Sequence, residues 1–181
     1  MKKKSNNKGF SLIELIVSLA IVMIVGGSIV SFLLAGSNSY ASVITNTDLQ
    51  EEAQLVVNQI SDMVITAEKA VNFNNSAKKL EVFNENEKYE IVFKDADKRL
   101  YYNKFNRRPG TRDFDIVSAD VLMAENVADF WADVSKAEST NKISIKIVFE
   151  SKSNTYEKKE TITLRNGNSV KSGNDLTKIY P

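Results

Sequence analysis

From Leu15 to Ala35 the chain runs for twenty-one residues without an Asp, Glu, Lys or Arg. At about 1.5 Å per residue this is roughly 31 Å of helix, enough to cross a bilayer core of about 30 Å. Past the run, Leu49, Ala53, Val56, Ile60, Met63 and Ala67 recur at spacings of four and three, with Asp48, Glu51, Glu52, Asn58 and Asp62 between them. That is the apolar stripe of an amphipathic helix. No proline occurs from Phe10 to Ala67, and Gly26-Gly27 is the strongest helix weakener in the segment, so one long helix is expected there. The two glycines fit either local stretching of the helix or close packing against a second helix. Gly36-Ser37-Asn38-Ser39 is a polar exit from the bilayer at which the helix could break in solution.

After Asn72-Phe73-Asn74-Asn75-Ser76 the period changes from helical to alternating. The runs at 80–83, 89–93 and 99–103 predict a three-strand meander separated by charged turns. Residues 104–118 read as a polar, basic loop with Pro109-Gly110 at its tip. Two longer strands are expected at 127–134 and 142–149, the second burying Ile143, Ile145, Ile147 and Phe149 by strict alternation. Residues 156–164 complete the sheet, and 165–181 read as mostly irregular. The predicted fold class is α+β, with a long amino-terminal helix whose second half packs its stripe on the apolar face of an antiparallel sheet.

Charge sets the expected orientation. Lys2, Lys3, Lys4 and Lys8 precede the apolar run and the next basic residue is Lys69. The positive-inside rule then keeps the amino terminus in the cytoplasm and sends the remainder across. An ordinary secretory signal has a shorter apolar core and a small-residue cleavage site, which the stretch around Leu33-Leu34-Ala35-Gly36 supplies poorly. Glu14 is also out of place. A carboxylate at the centre of a spanning helix costs about 2.5–3.5 kcal/mol, less toward an end, and is normally there for a cationic partner.

Lys8-Gly9-Phe10-Ser11-Leu12-Ile13-Glu14-Leu15 resembles the type III signal of type IV prepilins and type II secretion pseudopilins: a short basic leader ending in Gly, then Phe, then an apolar helix with Glu four residues beyond the Phe. The resemblance implies cleavage between Gly9 and Phe10 by a prepilin peptidase, methylation of the new Phe10 amine, and retention of the helix as a filament core. It also implies that Glu14 pairs with the terminal ammonium of a neighbouring subunit, Phe10 and Glu14 being the assembly residues. The plainer reading leaves Glu14 hydrated at the headgroup level of a conventional anchor. The expected segments are leader 1–9, membrane helix 10–35, amphipathic continuation 36–68, sheet domain 69–166 and tail 167–181. In arrangement the late strands are similar to J-type pseudopilins and the corresponding minor pilins.

The resemblance implies as partners the prepilin peptidase, other pilin or pseudopilin subunits, an inner-membrane assembly platform and the lipid bilayer. It implies a cell-surface filament with roles in adhesion, motility, secretion or DNA uptake. The alternative is an uncleaved single-pass anchor carrying an extracytoplasmic binding or sensor domain. The chain has 181 residues, no Cys and no His, so disulfides, thiol catalysis, Cys-containing zinc sites and imidazole chemistry are excluded. A disulfide-bounded carboxy-terminal loop, common among pilins, is out of reach. Formal net charge is +1; without the four leader lysines, 20 basic residues face 23 acidic ones, a net of −3. That disfavours DNA as a partner, apart from a local patch.

No nucleophile–base pair, carboxylate dyad or phosphate-cradling glycine loop is evident, so a non-enzyme without cofactor or metal is expected. Asp95 and Asp97 have the spacing that opens a calcium loop, but Lys98 and Arg99 follow, and a solvated turn is the better reading. The tract holding Tyr101, Tyr102, Lys104, Arg107, Arg108 and Arg112 mixes aromatic and basic residues as an anion- or single-strand-binding surface does. Its plainer reading, an exposed loop with tyrosines packed on the sheet, is preferred. Trp131 falls on the acidic face of its strand and Phe130 on the apolar one; Trp131 is expected to be partly exposed, where it could contact a neighbouring subunit.

Overall fold

A computed structural model describes residues 11–151, 154–166 and 170–180. Helix α1 covers Leu12–Ile65, ending two residues short of the expected Ala67 and passing without a break through Gly26-Gly27 and through 36–39. The chain divides into two units, one ending at Ile44 and one running Thr45–Pro181. In the first, the apolar side chains are all exposed, from Leu12 at 79% to Leu34 at 62%. Length and composition make this helix able to cross a membrane. The three serine hydroxyls of the apolar run are satisfied internally: Ser18, Ser28 and Ser31 donate to the carbonyls of Glu14, Ile24 and Gly27 at 2.6, 2.8 and 2.9 Å. A hydroxyl bonded to the carbonyl four residues back leaves no unpaired donor to place in lipid.

In the second unit, the helix buries Leu49, Ala53, Val56, Val57, Ile60 and Val64. Val57 and Val64 widen the expected stripe, while Met63 is only partly buried. Strands β1 (Ala70–Asn74), β2 (Lys79–Phe83), β3 (Glu87–Lys94), β4 (Arg99–Arg107) and β5 (Phe114–Ala124) follow, then β6 (Val127–Asp133), the short helix α2 (Ala137–Thr140), β7 (Lys142–Ser151) and β8 (Asn154–Thr163). β9 (Lys171–Ser172) and α3 (Leu176–Ile179) complete the described chain. Among the described residues the strands form two sheets, ordered β5-β4-β3-β2-β1-β9 and β6-β7-β8. Within each sheet neighbouring β1 to β8 strands are antiparallel, as expected, but β6 to β8 form a sheet of their own rather than completing the first, and β9 adds to β1 in parallel.

The helical stripe and the inner faces of both sheets share one core. Val71, Leu80, Val82, Ile91 and Leu100 come from the larger sheet, and Phe130, Ile143, Ile145, Ile147 and Phe149 from the smaller. The ring of Phe130 meets that of Phe73 edge-on at 5.9 Å, tying the sheets together. The alternation along β7 is the one the sequence predicts, because a strand with one dry face and one wet face records both.

Two expectations are corrected. A strand, β1, occupies 70–74, ahead of the first strand expected at 80–83. The region 104–118 is mostly strand: β4 continues to Arg107, β5 begins at Phe114, and Phe105 pairs with Ile116. β5 escaped because it is a sheet edge with Ile116, Val117 and Leu122 exposed at 58%, 54% and 48%, so burial leaves no period-two signature. The described part of the tail carries only the short β9 and α3 between irregular stretches, yet it is fastened to the domain. Val170 enters the core, Lys171 and Gly173 donate backbone N–H groups to Lys69 and Val71, and Asp175 caps α3 by accepting from the Thr177 N–H at 3.1 Å.

The outer face of the larger sheet holds a charge network. Lys79 pairs with Glu81 at 3.1 Å and Glu90 at 3.3 Å, Lys88 pairs with Glu90 at 2.6 Å, and Asn72 Nδ2 donates to Glu81 at 2.8 Å. The Lys88 ammonium also lies 4.5 Å from the Phe105 ring centre, with Phe114 and Phe83 at 5.5 and 5.7 Å. Beside it, Ala70, Phe83, Ile179 and Tyr180, with Phe114 and Leu176 against them, form a second small core that fastens the carboxy-terminal segment to the sheet.

Candidate functional site

Gly9 and Phe10 lie outside the described residues. The adjoining start of α1 is described. Ser11 donates its backbone N–H to Glu14 Oε2 at 2.9 Å, and the Glu14 N–H returns a bond to Ser11 Oγ at 3.3 Å. This reciprocal capping box satisfies two of the donors that a helix start leaves open. Its signal, Ser-x-x-Glu ahead of an apolar run, is readable in the sequence but is overshadowed by the question of a partner for Glu14. The box engages one carboxylate oxygen. The Glu14 side chain is exposed at this end of the helix, within reach of a cation.

The basic tract is divided by the strand that carries it. Successive β4 side chains point to opposite faces of the sheet. Tyr102 and Lys104 look toward the helix, in a cleft of about 660 Å³ with Asp62, Met63, Glu87 and Tyr89. There Lys104 pairs with Glu87 at 2.6 Å. The bonds from Lys104 and then Tyr89 hold the Glu87 carboxyl below its ordinary range. Tyr101 faces the other way, its hydroxyl bonded to Asp97 at 3.0 Å and its ring beneath the Lys94 ammonium at 4.6 Å. Arg108 is taken by Asp115, whose carboxyl that hydrogen bond draws down. These four residues do not share a site.

Arg107 and Arg112 do meet, at a cleft of about 680 Å³ lined by Lys69, Glu85, Arg107, Gly110, Thr111, Arg112 and Tyr180. Gly110, at φ +74°, turns the β4–β5 loop so that Arg112 comes back over the carboxy-terminal segment. Arg112 Nε donates to the Tyr180 carbonyl at 2.7 Å. The Arg107 guanidinium stacks on the Tyr180 ring at 4.5 Å and reaches Glu85 with Nη2 at 3.0 Å, while its Nε is buried without a partner. Lys69 closes on Glu85 from the other side. The Lys69 hydrogen bond, with the charges of Lys69 and Arg107, holds the Glu85 carboxyl below its usual value. Tyr180 gives its hydroxyl to the Asn84 carbonyl, and burial pushes the phenol up to about 12. Sequence reasoning missed Lys69, Glu85 and Tyr180, since only the register of β1 to β4 and the return of the tail bring them to Arg107.

Elsewhere, Trp131 is 38% exposed on the outer face of β6 and Phe130 fully buried, as the alternation predicts. Asp95 bonds Lys98 at 2.6 Å within a tight turn, and among the described residues no acidic group has the arrangement to hold a metal ion.

No curated protein and no solved structure gives a significant match to the chain. A family model, the prokaryotic N-terminal methylation motif, matches residues 4–36. That span covers the end of the basic leader with Lys4 and Lys8, Gly9-Phe10, the Ser11–Glu14 helix start and the apolar run together. The chain therefore carries a type IV pilin/pseudopilin-type amino-terminal signal joined to an α+β fold.

Proposed function

We propose that the chain is a structural subunit, a minor pilin or pseudopilin, of a type IV pilus-like filament that serves adhesion, motility, secretion or DNA uptake. In this reading a prepilin peptidase cuts between Gly9 and Phe10, the Phe10 amine is methylated, and α1 enters the filament core. The observation that carries it is the methylation motif over residues 4–36, which supports a pilin-type subunit processed by that peptidase. The exposed apolar helix from Leu12 onward gives the subunit a membrane anchor before assembly and a packing surface afterwards. The leader lysines support an amino terminus on the cytoplasmic side of the inner membrane, where an assembly platform would receive the subunit. Glu14 then offers its exposed carboxylate to the ammonium of a neighbouring Phe10, which offsets the desolvation of both charges.

The Ser11–Glu14 box favours a second reading as well, because it partly satisfies the carboxylate without any neighbour. An uncleaved anchor bearing a binding or sensor domain needs nothing more of Glu14. Mass spectrometry of the protein isolated from its own membrane separates the two. A methylated Phe10 terminus is expected, and the intact lysine leader would establish the anchor instead. Gly9→Val, which places a branched side chain where the peptidase approaches the backbone, is expected to abolish processing.

A further inference from the structure

We propose that the cleft between the β4–β5 loop and Tyr180 binds a single phosphate group, as free phosphate or carried on a small organic molecule. Three cations, Lys69, Arg107 and Arg112, line it together with one carboxylate, Glu85, on which Lys69 and Arg107 close. Arg112 is fixed through Nε to the Tyr180 carbonyl, and among the described residues its two terminal nitrogens have no partner. An arginine anchored in this way presents a preorganised fork of the shape that oxyanions take up. Arg107 is the more buried cation, its side chain 19% exposed and flat on the Tyr180 ring. A partly desolvated guanidinium attracts an incoming anion more strongly than a hydrated one does.

Glu85 marks where negative charge is stabilised, since both Lys69 and Arg107 close on it. Its side chain is 47% exposed, so it can swing toward solvent when a doubly charged phosphate takes its place. The cleft, about 680 Å³, lies within the range of small-molecule sites and exceeds what one phosphate fills, leaving room for an organic body. A long polyanion fits poorly. Lys104 and Arg108, which would extend the basic track, are neutralised by Glu87 and Asp115.

The test is calorimetric titration of the full-length chain in detergent, at low ionic strength, with inorganic phosphate and separately with a nucleoside monophosphate. Saturable binding of at least one is expected; tighter binding of the monophosphate assigns an organic ligand, and equal binding assigns free phosphate. Arg112→Gln is expected to weaken binding by about tenfold or more. Glu85→Gln, which removes the competing carboxylate, is expected to tighten it several-fold. Arg108→Gln, away from the cleft, should leave it unchanged. Thermal melts of all three variants check folding, and Arg112→Lys, which keeps the charge without the fork, provides a second reading of the same site. Absence of saturable binding by the unaltered chain would overturn the proposal. So would weakening by Arg108→Gln equal to that by Arg112→Gln, or binding of a single-stranded oligonucleotide alone.

Discussion

Glu14 and Tyr180 are polar side chains whose partners lie in the backbone of their own chain, and each tests a different part of the reading. Glu14→Leu removes a carboxylate from the start of an apolar helix, so membrane insertion should be as good or better. It also removes Oε2 from the Ser11 N–H and the negative charge from any neighbouring ammonium. Equal membrane level and normal peptidase cleavage with reduced recovery in sheared filaments is the expected outcome. Undiminished recovery would show that the carboxylate is no assembly contact. Tyr180→Phe keeps the ring that packs against Phe114 at 5.8 Å and carries Arg107, but leaves the Asn84 carbonyl without its donor. The expected cost is about 1 kcal/mol, read as a fall of a few degrees in Tm. Tyr180→Ala should cost more, because Arg107 and Phe114 lose their shared surface.

At the scale of elements, the charge network on β2 and β3 ties stability to acid. Burial opposes the charge of Glu90, but the Lys88 hydrogen bond and the charges of Lys88 and Lys79 outweigh it and leave the carboxyl below its ordinary value. Asp129 follows the same pattern, burial being overcome by Lys78 and Lys146. A carboxyl whose pKa is lower folded than unfolded contributes stability that is present above the unfolded value and disappears as pH falls through the folded one. Melting temperature is therefore expected to decline from the ordinary carboxylate range, about pH 4 to 5, downward. Glu90→Gln should flatten part of that decline. An acid limb of the same depth in the variant would assign it to other groups.

The same elements show what the chain could and could not disclose. α1 and β7 were legible because each separates a dry face from a wet one along a regular period, and Ile143 to Phe149 are buried as read. β1 and β5 were not. β1 is five residues with Asn at positions 72 and 74, and β5 is an edge whose exposed Ile116 and Val117 break alternation. The Ser11–Glu14 box was legible as a local motif. The Lys69–Glu85–Arg107–Tyr180 arrangement was not, because it depends on pairings that span from β1 to the last described residue.

For the whole molecule, the two units place different demands on their surroundings. The helix up to Ile44 buries none of its large apolar side chains within the chain, whereas Thr45–Pro181 encloses a continuous core drawn from the helix and both sheets. The second unit thus has what independent folding requires: Leu49 to Val64 supply the helix face, and the inner strands cover it. A truncation beginning at Ser39 is expected to be soluble without detergent and to unfold in one cooperative thermal transition, followed by circular dichroism. A truncation beginning at Thr66 should behave differently. It removes Ile60 and Val64, both fully buried, from the core cluster that also holds Leu80, Ile91 and Ile147. Each large side chain returned to water forfeits about 1.5–3 kcal/mol, against a total domain stability of about 5–15 kcal/mol, so this shorter chain should fail to fold. Cooperative melting of the Thr66 truncation would show that the sheets hold together without the helix, and a non-cooperative Ser39 truncation would show that the membrane run is part of the fold.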